Sequence, residues 1–465
     1  MRAKLYLVRK FVSSLFSQDR IAGGAFVLAL TGLLASVCGF LRDQAFSIMF
    51  PLDKDPIGVA SVYIAAFRPS DLLFQLFVMS CLSVVVVPFL GAHLAHGRKD
   101  EMNRLTSSTM VVFGVAFGIV AILMAAAFPW LAPHMVKFQG ESLSLYIRFG
   151  QIALLTNLLF VFGNTIGQYL IAVRRYWMYG LTPILWALCT IGGIYILSPL
   201  IGPLGPIVGT VIGTIIYVLL RFWAAVGSGY RATLPASSWM HPELSAMGWL
   251  IIPRMAALGA LQLQLLLLDR LASGLGKSSV ALNQFASNFE SVIPGIVGIA
   301  IAQSAFSLLS QHAARSDRGK LLSTMRKGLL MNLALSVPGS IALAICAGIA
   351  AWMMRLHPPA SQTFVIALWI YALAVPFESV NHMMLRTFYA LKNTGWPALT
   401  SSVSCIAAVA TGTFLLPSLG IYALAWAYVV GQVSQTILLA LTFRMNLLGK
   451  LREPSLNHAS SAVPS

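Results

Sequence analysis

Apolar residues run along this chain in blocks too long for the strands or amphipathic helices of a soluble protein. A helix that crosses a hydrocarbon core needs about 20 consecutive apolar residues. On that basis the pattern predicts twelve, at 21–49, 58–94, 107–134, 143–172, 178–200 and 205–228, then at 245–271, 279–310, 327–354, 362–391, 396–417 and 421–445. Several exceed the bilayer thickness, so tilt or kinks are expected. Pro69, Pro253, Pro294 and Pro376 fall inside these blocks. Such prolines are tolerated in membranes where the freed carbonyls face protein or a wet cavity.

Composition supports the pattern. The 465 residues are 58% hydrophobic and 10% charged, with a mean hydropathy of +0.81, against roughly 25% charged in soluble domains. The formal net charge is +17, which in a soluble chain would suggest nucleic acid. Here the basic residues sit in short connections, where anionic lipid and topology account for them. With the N-terminus inside, the outer loops hold only Lys54, Lys137, Lys277 and Arg355, so both termini are expected in the cytoplasm. The apolar run after the basic first 20 residues exceeds a signal-peptide core and reads as a retained helix. Cys38, Cys81, Cys189, Cys346 and Cys405 lie in apolar runs without C-x-x-C spacing, which argues against a disulfide framework or a zinc site.

Two connections echo each other. "AHLAHGRKDEMNRL" from Ala92 resembles "QHAARSDRGKLL" from Gln311, and "YLIAVRR" from Tyr169 resembles "TFYALKN" from Thr387, at nearly one spacing. An all-α integral membrane protein of two six-helix halves related by a parallel pseudo-twofold is the expected fold, with a substrate site between the halves. The corresponding segments are a cytoplasmic N-terminus 1–20, a first half 21–230, a linker 231–244, a second half 245–446 and a disordered cytoplasmic tail 447–465.

A charge at the bilayer centre costs about 2.5–3.5 kcal/mol even on a lenient scale, so each intramembrane charge needs a reason. Helix one carries Arg42 and Asp43, where the acid can simply neutralise the base. Arg68 and Asp71 flank Pro69, three apart on one helix face, where they could form an internal pair, although a proline between two charges better fits a broken helix lining a cavity. Arg254 follows Pro253 near the cytoplasmic end of its helix, and Asp269–Arg270 lies near a helix end, where long side chains snorkel. Gln262, Gln264 and Asn288 add polar groups, while His382 and Arg386 share a helix with Glu378. Glu290 and Glu378 are the candidates for ion coupling, which needs an acid made reluctant to ionise by burial. Their structural alternative is a neutral core carboxyl. No Walker loop, zinc-protease, nucleophile-elbow or dinucleotide motif is present. The pattern predicts no catalytic residues, cofactor or metal, and points to a secondary carrier.

These residues also carry a resemblance. "VCGFLRDQAFSIMF" (Val37–Phe50) resembles the first-helix signature of the MurJ/MviN family of lipid II flippases. "AAFRPSDLLFQLF" resembles its second helix, and "IPRMAALGALQLQ" (Ile252–Gln264) its seventh. That family belongs to the MOP superfamily, with its MATE-like exporters. The resemblance implies alternating-access transfer of an undecaprenyl-pyrophosphate-linked disaccharide-pentapeptide to the outer leaflet of the bacterial cytoplasmic membrane. Cell-wall synthesis or division proteins would be its protein partners, beside membrane lipids and not nucleic acid. It further implies that Arg42, Arg68 and Arg254 line a cationic cavity for the diphosphate, a group that guanidinium binds bidentately. Asp71, Asn288 and Gln262 would contact the sugar or peptide, or fix the arginines. Where better-known members have further cavity arginines, this chain has Ser36, Phe74 and Asn288. Members often have two more C-terminal helices, whereas the apolar pattern here ends at the twelfth. An O-antigen or capsule flippase and a cation-coupled multidrug exporter of the same superfamily stay open as alternatives.

Overall fold

A computed structural model describes residues 21–79, 82, 86–233, 242–315 and 317–447. The expected N-terminal segment 1–20, most of the linker, Cys81 and the tail beyond 447 lie outside the described residues. Every regular element among the described residues is a helix. Water-free surroundings leave backbone polar groups no other way to be satisfied within one segment. Among the described residues nine helices are long and apolar enough to span a membrane, and ten if the pair Ala360–Ala372 and Val375–Ala390, bent by 41°, counts as one. One of those spans, Tyr176–Val226, turns at Gly202. Taking its two arms separately and adding the long helix Pro242–Ser273 reproduces the twelve expected blocks.

The chain forms two compact units, Met1–Leu282 with Met353–His357, and Asn283–Trp352 with Pro358–Ser465. The first contains α1 (Ile21–Met49), α2 (Val59–Phe74), α3 (Lys99–Met135), α4 (Gly140–Ala172), α5 (Tyr176–Gly192), α6 (Gly205–Val226) and α7 (Pro242–Ser273). Gly58 adopts φ 73° at the start of α2, and the carbonyl of Lys277 occupies the space a Cβ would need there. Helices α5 and α6 pack almost backbone to backbone. A Cβ on Gly209 would lie 2.6 Å from the carbonyl oxygen of Cys189, and one on Gly213 would lie 2.9 Å from that of Trp186. Small residues at such spacing are what membrane helices use to approach closely. Gly209→Val should therefore force the pair apart and destabilise the protein by about 1–3 kcal/mol, read as a lower melting temperature in detergent. An unchanged melt would contradict this packing.

The second unit contains most of α8 (Ser279–Ile293), which runs through a π-helical turn at Pro294–Ile299 into Ala300–Ala314. It continues with α9 (Arg318–Ile345), α10 (Ala360–Ala372), α11 (Val375–Ala390), α12 (Gly395–Leu419) and α13 (Tyr422–Thr442). Asp317 caps α9, accepting from the Lys320 backbone N–H at 3.1 Å. That bond, with the Lys320 side chain, holds its carboxyl below the usual range. The cap is thus in force at neutral pH and is lost as acid protonates it. Asn381 ties α11 to α13, donating to Gln432 Oε1 at 2.9 Å and accepting from Thr436 at 2.8 Å. Outward-facing Trp130, Leu200, Ile345 and Phe414 are at least 75% exposed, as lipid-facing side chains should be.

Candidate functional site

In the first unit, Pro69 interrupts α2 where its missing N–H frees a backbone carbonyl. The residues after it make the break polar. Ser70 donates to the carbonyl of Ala153 at 3.0 Å, and Asn157 of α4 donates to Ser70 Oγ at 2.5 Å and to Asp71 Oδ1 at 2.9 Å. One turn earlier, Nε of Arg68 donates to Oδ2 of Asp269 on α7 at 2.7 Å, with both side chains largely buried. Sequence spacing offered Asp71 as the partner of Arg68, and the structure adds Asp269 from another helix. The ion pair bridges two helices 201 residues apart, a partner that helix-face spacing cannot reveal. Asp269 is buried as well, contrary to the snorkelling expected of a helix end, while Arg270 is exposed.

Beside this network lies a cavity of about 300 Å³, lined among others by Asp71, Gln75, Asn157, Asn164, Trp186 and Gln262. Oε1 of Gln262 is buried without a hydrogen-bond partner among the described residues. Tyr217 also lines the cavity and donates to Asn164 Oδ1 at 3.2 Å. Behind Tyr217 sits Arg221, only 1% exposed. Its guanidinium donates to Thr182 Oγ1 at 2.9 Å and to the carbonyls of Gly163 and Tyr179, each at 3.0 Å. It also stacks on Tyr179 at 4.5 Å and Tyr217 at 4.0 Å. Among the described residues its partners are all neutral, so a full positive charge stands behind the cavity wall.

The predicted site residues separate into groups. Asp71 and Gln262 line the cavity, and Arg68 holds α2 to α7 next to it. Arg42, on α1, gives Nε and Nη2 to Oδ1 of its neighbour Asp43 at 3.1 and 2.8 Å. Guanidinium has five N–H donors, so this pair engages two of them. Arg254 lies on α7, but its side chain falls outside the described residues. Asn288 belongs to the second unit, where its Oδ1 accepts from Gln284 at 2.6 Å. Glu290 and Glu378 meet in that same unit, with Tyr428 and His382 around Glu378. Reading the sequence missed Asn157, Asn164, Trp186, Tyr217 and Arg221. The available signals were the amides at 157 and 164, seven apart on one face of a mostly apolar helix, and the charge at 221 in an apolar block.

Similarity to known proteins agrees with this architecture. A structure of lipid II flippase MurJ in an inward closed conformation matches with a TM-score of 0.74 at 18% identity, covering 90% of this chain and 87% of that one. An inward-facing multidrug resistance MATE family transporter of the MOP superfamily matches with a TM-score of 0.75 at 13% identity, covering 90% and 95%. At such identities these likenesses establish the fold alone, that of a multi-pass helical protein built like these transporters. A Bdellovibrio bacteriovorus protein described as a probable lipid II flippase MurJ is 24% identical over 436 residues, 91% of this chain and 82% of its own length. The sequence pattern of the family described as lipid II flippase MurJ spans residues 58–462, and the chain belongs to that family.

Proposed function

We propose that the protein carries lipid II from the inner to the outer leaflet of the bacterial cytoplasmic membrane by alternating access, with both termini in the cytoplasm. The observation that carries this reading is a pair of arginines, Arg42 and Arg68, partly buried within membrane spans and each held by an aspartate. An aspartate partner removes the net charge that would make an intramembrane arginine costly at rest. A diphosphate presents the same kind of oxygen acceptor with more charge, so it can take over guanidinium donors as the headgroup enters. Arg254, from the same unit, is proposed as the third cation. The amide and aromatic lining around Asp71, Asn157 and Gln262 suits the hydroxyl and amide groups of a sugar-peptide headgroup, and Asn288 is proposed as a further polar contact. The uncompensated charge of Arg221 favours an anion nearby. Glu290 and Glu378 are proposed as the acids of a cation-driven cycle.

Expression in a bacterium depleted of its own lipid II flippase tests the reading. The chain is expected to restore growth, and lasting failure of a correctly inserted protein would contradict it. Arg42→Ala should weaken headgroup binding by about 1.5–3 kcal/mol, the worth of a hydrogen bond to a charged group, and should lose rescue. If an Arg42→Ala protein that inserts normally still restores full growth, Arg42 has no part in binding.

A further inference from the structure

The second unit buries an acid in an unusual way. Glu290 on α8 is 0% exposed, and neither carboxyl oxygen meets a hydrogen-bond donor among the described residues. Its neighbour is another carboxyl, that of Glu378 on α11, within hydrogen-bonding reach. On the far side of Glu378, Tyr428 of α13 donates to Oε2 at 2.5 Å, and Nε2 of His382 stands 3.7 Å from Oε1. A buried, unpaired carboxylate is too costly to keep, and two adjacent ones cannot both be ionised. One proton held between the two acids resolves this, because it gives Glu290 a hydrogen bond and leaves a single negative charge, facing Tyr428 and His382.

We propose that Glu290 and Glu378 form a proton-binding site, loaded and emptied through His382, and that proton uptake there is a step of the transport cycle. Side-chain exposure falls from His382 at 31% through Glu378 at 17% to Glu290 at 0%, the order in which a proton entering past His382 would move inward. His382 takes a proton from water, passes it from Nε2 to Oε1 of Glu378, and returns to neutral imidazole, so the pair gains one H⁺. A proton fits the site better than sodium, since Tyr428 directs a donor at Glu378 and His382 can do the same, whereas a hard cation needs oxygen lone pairs. The surrounding elements add few groups that could titrate. Tyr371 of α10 packs on Tyr428 at 5.4 Å and donates to Asn283 at 2.9 Å. Helix α9 brings the neutral Asn332 and Ser336 to the interior, on the stretch between Gly328, against Met383, and Gly339, against Ile293. The binding of a proton stands on this geometry, and only its place in transport rests on the flippase reading.

Infrared titration of the purified full-length protein in nanodiscs, without substrate, tests the site directly. The wild type should show a protonated-carboxyl C=O band that responds to pH, together with proton uptake after a pH jump. E290Q and E378Q should each lose the pH response of that band and take up one proton fewer, with helical content unchanged. H382N should keep the band and slow its exchange by about a hundredfold, the scale of a lost acid–base group. The site is overturned if E290Q and E378Q both titrate like the wild type, or if sodium chloride removes the wild-type band saturably. Transport in proteoliposomes tests the second half. Wild-type flux should follow an imposed pH gradient and E290Q flux should not. If the band behaves as expected while wild-type flux ignores the gradient, the proton site stands and its coupling to transport is wrong.

Discussion

Arg68→Ala is expected to lower stability by about 3–5 kcal/mol, the cost of leaving one partner of a buried ion pair alone. Asp269 would keep its burial and lose the guanidinium that donates to it at 2.7 Å. Thermal melts in detergent read this loss. A compensating double change separates structure from function at the same position. Replacing a buried pair by apolar side chains of similar volume is often neutral or stabilising, so Arg68→Met with Asp269→Leu should recover most of the lost stability. If Arg68 also meets the diphosphate, the recovered protein should still fail to support growth of a flippase-depleted strain. A double variant that is stable and active would make Arg68 a purely structural residue, and an Arg68→Ala protein that melts like the wild type would refute the ion pair.

Arg221→Leu carries the second large effect. The substitution strips donors from the carbonyls of Gly163 and Tyr179 and from Thr182 at once. Each buried acceptor left unmet costs about 1–3 kcal/mol, so a total loss of about 3–9 kcal/mol is expected. Arg221→Lys should recover little of it. An ammonium is a compact point charge and cannot reproduce the flat fork that reaches Thr182 and both carbonyls while stacked between two tyrosine rings. Equal melting of wild type, Arg221→Leu and Arg221→Lys would show that this buried guanidinium does not hold α4, α5 and α6 together. The cavity is a neighbour of the same network through Asn164 and Tyr217, so its shape should change with that packing.

The architecture was legible because the bilayer imposes it locally. Each span is a continuous apolar block, shaped by residues inside it, as Pro294 is at the π-helical turn, or between blocks, as Gly202 is at the turn between two arms. The site was legible only where its parts lie close in sequence. Arg42 with Asp43, and Pro69 flanked by Arg68 and Asp71, stood out as charges among apolar residues. The partner of Arg68 did not, because helix-face spacing sees neighbours three or four apart and Asp269 belongs to another helix. Asp269 was also misread from its position near a helix end, where the physical default is exposure. Arg221 stood inside an apolar block as well, but its partners are backbone carbonyls, a threonine and two aromatic rings, so no acid in the sequence marked its role. The meeting of Glu290 with Glu378 likewise depends on packing between helices.

The most direct test of the central claim is movement of fluorescent lipid II across proteoliposomes containing the purified protein, followed by its accessibility to a membrane-impermeant quencher. The account predicts protein-dependent transfer that Arg42→Ala reduces and that exceeds transfer of an undecaprenyl-diphosphate glycan without the pentapeptide. Transfer no faster than in protein-free vesicles, or equal transfer of both lipids, would contradict it.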